Sequence, residues 1–561
     1  MKKRTIFLSI IIFIMTTYTL SQGHKTAFIN GKIFTVNEKQ PYAESVIIAG
    51  NKIIFAGSNE EAKDKIDPST TVIDLMGRLM LPGFNDAHVH FISGGFSKMG
   101  IDLRETKSIN EFRDIIKKYA AAHKGKWIEG GRWDHEKWQE KRLPSKEDID
   151  DITPGTPVLL KRLDGHMALT NSYGLKLAGI TKDTQSPEGG LIEKNPKTGE
   201  PTGILKDNAI ELVNDVIPNP SEADYYQACL TALDEAKKLG VTSVQDITFN
   251  YTSDETKPIE DLITYQQVKK DGKLTCRIYT RIPIDNYQNL ISDGIQYNFG
   301  DNYLKIGSLK AFSDGSLGSS TAWFWEPYEN EPSNYGLPND IVKDGRLEKW
   351  ALTADKHKLQ VCVHAIGDHA NSYLLDLVEK IERTNPSWDR RFRIEHAQHV
   401  RPSDISRFAK LNVIASVQPT QCIEDGSWAI ERIGSERIKY THQYKSFLDN
   451  GVHLAFGTDW PVVSLNPLLG IYAAVTRRTV DGKNPNGWIP EQKISVEDAI
   501  KCYTLNSAYA EYSENLKGSI EPGKLADLVV LSDDILTIDP AKIKDVKVDM
   551  TIFDGKIIFK R

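Results

Sequence analysis

Hydrophobic positions near both ends of the chain alternate with polar ones in short runs. At the N-terminal end, the turn-forming pairs Asn30-Gly31 and Gly50-Asn51 separate three such runs, which is the pattern of β-hairpins. Two further runs, 526–531 and 550–559, repeat the pattern near the other end. Neither group alone has enough strands for a stable sheet. We therefore predict one small β-sandwich built from both termini, residues 25–80 and 515–561.

The central part of the chain alternates short apolar runs with longer runs of helical periodicity. Strands are predicted over 79–90, 241–247, 277–284, 304–312, 360–366, 391–396, 413–418 and 453–459. Helices are predicted over 225–239, 347–357, 371–384 and 496–503. This α/β alternation predicts parallel βαβ units that close into a TIM-like (β/α)8 barrel over residues 81–514, although an open doubly wound sheet gives a similar pattern.

The first two predicted barrel strands lie far apart, because one ends at residue 90 and the next begins at residue 241. Such a distance is much longer than an ordinary loop between elements. We therefore predict an inserted subdomain over about residues 92–235, above the barrel mouth. A further candidate strand, 158–162, is assigned to this insertion.

The first residues have the pattern of a secretory signal. An apolar run over residues 6–15 follows the basic residues Lys2, Lys3 and Arg4 and precedes small and polar residues up to Ser21. The run is too short to span a bilayer but fits the apolar region of a signal peptide. We predict a signal peptide over residues 1–22 and export to the periplasm or the exterior. An uncleaved membrane anchor is the alternative, and no later run is long enough to hold the protein in a membrane.

Composition and charge narrow the class of partner. Hydrophobic residues make up 40% and charged residues 26% of the chain, which is typical of a globular protein. The net charge is -6, and no basic block is long enough to follow a phosphate backbone. We therefore expect a small-molecule substrate and no nucleic acid, while a homo-oligomer stays open. The five scattered cysteines are expected to be buried thiols.

Residue types that bind metals stand at the ends of four predicted strands. His88 and His90 end the first strand, and alternate residues of a strand share one face, so both imidazoles can reach one ion. Three later strands end in His364, His396 and Asp459. The carboxyl ends of barrel strands converge on one mouth, so these side chains are candidates for a single metal site.

Other interpretations of these residues stay open. His364 fits a buried core histidine, Asp459 fits a helix cap, and His399 is as good a ligand candidate as His396. Lys310 lies within an apolar strand, where a lysine is costly unless it is paired or chemically altered. A salt bridge from Lys310 to Asp314 or to another carboxylate is the simpler interpretation.

An ordered set of motifs extends over nearly the whole chain after the signal region and resembles the metal-dependent amidohydrolase superfamily, specifically its amidohydrolase-3-type branch. These motifs are Asn30-Gly31-Lys32-Ile33, Leu81-Pro82-Gly83-Phe84-Asn85-Asp86-Ala87-His88-Val89-His90, Asp164-Gly165-His166, Gly240-Val241-Thr242, Asp314-Gly315-Ser316, His364-Ala365-Ile366-Gly367-Asp368, Glu395-His396-Ala397, Gly457-Thr458-Asp459-Trp460-Pro461 and Gly518-Ser519-Ile520-Glu521-Pro522-Gly523-Lys524-Leu525-Ala526-Asp527-Leu528.

The resemblance implies a TIM-like barrel, a β-sandwich from both termini, and one or two divalent metal ions, with zinc as the expected metal. It implies that the metal ligands are His88, His90, His364, His396 and Asp459. It also suggests that Lys310 carries a CO2-derived carbamate, because a protonated lysine is a poor ligand and its carbamate is an anionic bridge.

The mechanism implied by the resemblance is hydrolysis by metal-activated water, in which Asp459 takes the water proton and delivers it to the leaving nitrogen. Substrate-facing candidates come from the same motifs or from nearby aromatic residues: Asp164, His166, Trp133 and Trp323. Both tryptophans fit packing roles equally well. The segment Gln418-Pro419-Thr420-Gln421 departs from the pattern, because it ends in Gln where relatives often show His.

The sequence therefore predicts an exported metal-dependent hydrolase that acts on a non-peptide carbon–nitrogen bond of an amide, formamide or cyclic amide. One alternative is a non-catalytic periplasmic binding protein on a degenerate barrel. The presence of all five ligand types at strand ends argues against it. An isomerase or decarboxylase on the same metal scaffold is a second alternative, because fold and metal do not fix the reaction.

Overall fold

The computed structural model describes residues 24–162, 167–187, 190–248 and 259–561. The predicted signal peptide, residues 1–22, lies outside these ranges. Within them, no helix combines the length and the apolar character needed to cross a bilayer. All five cysteines are free and buried, as expected.

The central element is a parallel sheet of eight barrel strands, each paired with the next in chain order. These strands are β1 (Phe84–Val89), β2 (Val241–Ile247), β3 (Arg277–Pro283), β4 (Leu304–Phe312), β5 (Gln360–Ala365), β6 (Arg393–His396), β7 (Ile414–Val417) and β8 (Leu454–Phe456). A short strand, Phe299–Gly300, pairs antiparallel with β4. The predicted TIM-like α/β barrel is confirmed.

Two hydrogen bonds that are donated by backbone N–H groups connect the two ends of this nearly closed sheet. The Asp459 N–H donates to the His88 carbonyl oxygen at 2.6 Å. The Thr458 N–H donates to the Asp86 carboxylate at 2.9 Å. The segment after β8 is therefore fixed against the end of β1, and this brings the first and last predicted metal ligands together.

The predicted first strand, 79–90, is in fact two strands in two different sheets. Leu79–Pro82 belongs to the terminal β-structure, and β1 begins at Phe84. Gly83 lies at the change of direction, where an added Cβ atom would lie 2.2 Å from the Thr242 Oγ1. A continuous apolar run hides this change, because residues on both sides of Gly83 are buried.

Helices follow the barrel strands and cover the outside of the sheet. Glu222–Lys238 begins with a capping box, in which the Ser221 hydroxyl accepts from the Asp224 N–H and the Asp224 carboxylate accepts from the Ser221 N–H. The four predicted helices are confirmed at 222–238, 346–356, 368–384 and 496–502. The helices after β1 are Phe91–Met99, Ile109–Ala122, Ser172–Leu177, Glu211–Asn214, Glu222–Lys238, Glu260–Lys270, Tyr287–Ser292, Asp340–Lys343, Arg346–Lys356, Asp368–Thr384, Pro402–Lys410, Pro419–Asp425, Ala429–Arg437, Tyr444–Asp449, Pro467–Thr476, Val496–Cys502 and Leu505–Ala510.

Strands from both termini share one sheet, because Leu528–Leu531 pairs antiparallel with Leu79–Pro82. That sheet has six strands: Lys32–Phe34, Tyr42–Ala43, Leu79–Pro82, Leu528–Leu531, Val548–Phe553 and Lys556–Lys560. A four-stranded sheet accompanies it: Lys25–Ile29, Ser45–Ala49, Lys52–Gly57 and Thr71–Asp74, with the short helix Asn59–Lys63 beside it. Phe28 of one sheet and Leu528 of the other lie in one buried apolar cluster. The predicted β-structure from both termini is present, and its exact boundaries stay predictions.

The segment between β1 and β2 contains a separate six-stranded sheet. Its strands are Ile101–Asp102, Ile128–Trp133, Val158–Arg162, Met167–Thr170, Gly190–Lys194 and Pro201–Asp207. The Arg132 guanidinium donates to the Pro461 carbonyl oxygen at 3.2 Å. Because Pro461 follows Asp459 closely, this contact connects the insertion to the rim of the barrel mouth.

Candidate metal centre

Three of the predicted ligands meet at the carboxyl end of the barrel. His88 lies in β1, His90 follows it directly, and Asp459 follows β8; one ligand atom from each lies within 4.8 Å of the others. Asp459 Oδ1 is 3.4 Å from His88 Nε2 and 3.2 Å from His90 Nε2. Ligand atoms about 2.1 Å from one tetrahedral ion stand roughly 3.4 Å apart, so this donor set fits a divalent cation.

The backbone at two of these strand ends is unusual. Asp459 has φ +61° and His396 has φ +71°, in the left-handed region that non-glycine residues rarely occupy. Such conformations cluster at functional sites, where the surrounding structure enforces them. Both residues stand where a barrel strand reaches the mouth, His396 at the end of β6 and Asp459 three residues after β8.

The Asp459 carboxylate is held from two sides. Its Oδ1 faces the imidazoles, and its Oδ2 accepts a hydrogen bond from the Gln421 side-chain amide at 2.9 Å. Burial alone would raise the pKa of Asp459, but His88 and His90 hold it well below its usual value. The carboxylate is therefore ionised, as a metal ligand requires. Gln421 is the residue at which the sequence was expected to depart from the family pattern.

His396 and His364 extend the histidine cluster. The His396 ring centroid lies 4.8 Å from that of His88 and 4.5 Å from that of His364. Burial lowers the pKa of His364 to about 3 and that of His396 well below its usual value, so both imidazoles are neutral. His364 Nε2 is 3.0 Å from the Gly315 carbonyl oxygen, a contact that occupies this nitrogen. The metal-ligand roles of His364 and His396 stay predictions.

Lys310 is buried beside this cluster without a polar partner. Its Nζ forms no hydrogen bond within the described residues and lies 4.7 Å from the Phe312 ring centroid. The alternative of a salt bridge to Asp314 or to another carboxylate finds no support in the described residues, where Lys310 Nζ has no hydrogen-bond partner. Asp314 accepts from the backbone N–H groups of Trp323, Ile366 and Gly367. Burial lowers the pKa of Lys310 to about 8. A buried amine without a partner fits a chemically altered lysine.

Glu395 is a functional residue that the sequence interpretation missed. Its Oε2 lies 2.5 Å from His88 Nδ1, and its Oε1 lies 2.7 Å from Arg281 Nη1 and 3.0 Å from Arg393 Nε. A carboxylate on the far nitrogen of a ligand histidine fixes the ring orientation and raises its basicity as a ligand. Glu395 therefore directs His88 Nε2 towards Asp459. The motif Glu395-His396-Ala397 included this residue, but no role was predicted for it.

The two tryptophans that were predicted to contact the substrate occupy different parts of the fold. Trp133 is fully buried in the core of the insertion, and its indole N–H donates to the Leu160 carbonyl oxygen at 2.7 Å. This placement gives no support to substrate contact by Trp133 and favours the packing alternative. Trp323 follows β4 at the mouth end and stacks on His369, with ring centroids 3.7 Å apart. Its role in substrate contact stays a prediction.

The remaining candidates are Asp164, His166 and His399. Asp164 and His166 lie outside the described residues. His399, the alternative to His396, belongs to a different contact network, because its Nδ1 lies 2.8 Å from the Thr441 hydroxyl. Its neighbour Gln398 contacts Asp425. The geometry therefore favours His396 over His399 as the residue beside the cluster.

The comparisons with known proteins agree with this fold and donor set. The family model described as "Amidohydrolase family" matches residues 71–559. Protein LONG AFTER FAR-RED 3 of Arabidopsis thaliana is 40% identical over 510 residues, covering 90% of this chain and 86% of that protein. An N-substituted formamide deformylase of Arthrobacter pascens is 25% identical over 559 residues, covering 97% of this chain and 99% of that protein.

Solved structures are also similar. An uncharacterized metal-dependent hydrolase from Pyrococcus furiosus superposes with a TM-score of 0.75 at 28% identity, covering 91% of this chain and all of that chain. The family model covers most of the sequence, including every residue of the proposed centre. This chain therefore belongs to the amidohydrolase family and is a metal-dependent hydrolase.

Proposed function

We propose that this hydrolase is exported and cleaves a non-peptide carbon–nitrogen bond in an amide, formamide or cyclic amide. The observation that carries the proposal is the convergence of His88, His90 and Asp459 at the barrel mouth. The name of the Arthrobacter relative, a formamide deformylase, supports the bond type. The apolar run over residues 6–15 after a basic start supports export.

The residues at this centre have separate roles in metal binding and proton transfer. When bound, a divalent cation, with zinc as the expected ion, makes water a stronger acid and polarises a carbonyl oxygen. His88 and His90 present their Nε2 atoms, and Glu395 fixes the His88 ring. Asp459 Oδ2 keeps a lone pair beyond the one that Gln421 occupies, so it can accept the water proton and return it to the leaving nitrogen.

One experiment tests the bond type and the metal together. The purified protein is loaded with zinc, its metal content is measured, and a panel of N-formyl amines, N-acyl amines and cyclic amides is screened for amine release. We expect at least one bound ion per chain and hydrolysis that a chelator abolishes. Fewer than about 0.2 ions per chain after metal-supplemented expression would favour the non-catalytic binding protein instead.

We also propose that Lys310 carries a carbamate. Its neutral Nζ would attack CO2, forming one N–C bond and releasing one proton, and the product is an anion suited to a metal. The buried, unpartnered Nζ and its pKa of about 8 support this step, since the unprotonated amine is the reactive form.

The Lys310→Ala variant is expected to fold and to bind fewer metal ions per chain than the parent, and added short-chain carboxylates should restore part of its activity. Metal analysis of the folded variant is the measurement. Lys305→Ala is the matched control, because Lys305 lies in the same strand but donates to Ser513. Unchanged metal content in Lys310→Ala, together with a parent chain mass that lacks bound CO2 under native conditions, would count against the carbamate.

A further inference from the structure

Asp425 lies one helical turn beyond Gln421, the residue whose side chain contacts Asp459. The helix Pro419–Asp425 follows β7, and Gln421 on this helix contacts Asp459. Residues four apart share one face of a helix and stand about 6 Å apart along it. Asp425 is four residues after Gln421, so it faces the same side at a distance suited to a substrate group remote from the scissile bond.

Two neutral side chains fix the Asp425 carboxylate. Its Oδ2 accepts a hydrogen bond from Gln398 Nε2 at 2.8 Å and lies 3.1 Å from His442 Nε2. Gln398 follows His396 by two residues, which connects this carboxylate to the segment that ends β6. Oδ1 receives no hydrogen bond from the described residues, and the side chain is 14% exposed. The carboxylate is therefore held in place with one oxygen open.

Among the described residues, this carboxylate has no cationic partner. Its one ion-pair contact within the described residues is with His442, and burial lowers the pKa of His442 well below its usual value, so that imidazole is neutral. The buried carboxylate of Glu395, by contrast, contacts two arginines. Burial raises the pKa of Asp425 to about 7, because a poorly solvated carboxylate without a countercharge is costly, and a cationic group of a ligand would stabilise the ionised form.

We propose that Asp425 Oδ1 binds a protonated amino group of the substrate, at the end remote from the carbon–nitrogen bond that is cleaved. This inference rests on the proposed function and narrows its substrate to amides that carry an amine, such as monoacylated diamines. The fixed position of the carboxylate supports it, because the two donors on Oδ2 orient the charge before a ligand arrives.

The test compares pairs of probes on the zinc-loaded full chain. Each pair consists of an N-formyl diamine and the N-formyl alkylamine of the same length, with two to six methylenes. We expect the parent to favour the amine-bearing member by about tenfold or more in kcat/KM at the best length, the size of one charge-assisted hydrogen bond. Asp425→Asn should lose this preference and leave the rate for the neutral member within about twofold.

Asp425→Asn suits this test because its amide oxygen can still accept from Gln398 and His442 while its NH2 group replaces the open oxygen. Glu431→Gln is the matched control, since it removes an exposed carboxylate on the next helix. The Glu431→Gln protein should keep the parent's preference for the amine-bearing probe. An equal loss for both probes in Asp425→Asn, or no amine preference in the parent at any length, overturns the proposal.

A binding measurement separates this proposal from the proposed function. If no probe is hydrolysed, the proposed type of scissile bond is wrong. Calorimetry with the same pairs of probes then tests the role of Asp425 alone. Tighter binding of the amine-bearing member to the parent, lost in Asp425→Asn, supports the site. Equal dissociation constants for the two members, or no binding of the amine-bearing member, overturn it.

Discussion

The Asp459→Asn protein is expected to keep its fold and to lose amide hydrolysis by about 10²–10⁴-fold, the usual contribution of a positioned acid and base. Asn cannot accept the water proton, although it matches Asp in shape. The fold should survive, because the connection between β8 and β1 uses the backbone N–H of residue 459. Asn also tolerates the left-handed backbone found there, where φ is +61°.

The measurement is kcat/KM for the best probe of the substrate screen, together with the melting temperature. Asp449→Asn is the control, because it makes the same change at a carboxylate that is 57% exposed and pairs with Lys445 on the surface. That variant should match the parent in rate. Near-normal turnover by Asp459→Asn would remove Asp459 from the mechanism and leave it a ligand only.

The barrel was predictable because its signal is local. Each strand is a short apolar run followed by a helical period, and chain order alone determines the pairing of β1 to β8. The error at Gly83 has a different origin. Residues 79–82 and 84–89 are equally buried, so hydropathy cannot distinguish one strand from two strands in different sheets.

The residues of the site also divide into those that the sequence predicts and those that only the structure reveals. His88, His90 and Asp459 were found because parallel strands of a barrel end at one mouth, so residue type and strand position were sufficient. Glu395 and Asp425 were not found, because their roles depend on which side chains they contact across the fold. A sequence does not show that the Glu395 carboxylate contacts two arginines, or that Asp425 has no cation beside it among the described residues. The unpartnered Lys310 Nζ is likewise visible only in three dimensions.

The Glu395→Gln protein is expected to unfold about 3–5 kcal/mol more easily at pH 7, because the buried Arg281 and Arg393 would lose their anion. Its metal affinity should also fall by about 10–100-fold, since Glu395 orients His88. Urea denaturation of the metal-free proteins measures the change in the free energy of unfolding without a contribution from metal affinity. Glu436→Gln is the control, because Glu436 is 78% exposed, and surface changes alter stability by less than about 0.5 kcal/mol.

The pH dependence of this difference distinguishes lost charge from lost packing. Burial alone would raise the pKa of Glu395, but Arg281, Arg393 and His88 hold it well below its usual value of 4.5. The unfolded chain therefore binds this proton more readily than the folded chain does, so the carboxylate stabilises the fold fully above about pH 4.5 and progressively less below it. The difference in unfolding free energy between the parent and Glu395→Gln should stay constant from pH 7 down to about 5 and narrow as the pH falls from about 4.5 to about 3.5. A difference that stays constant over this range would mean that shape and packing, rather than the charge of Glu395, stabilise the arginine pair.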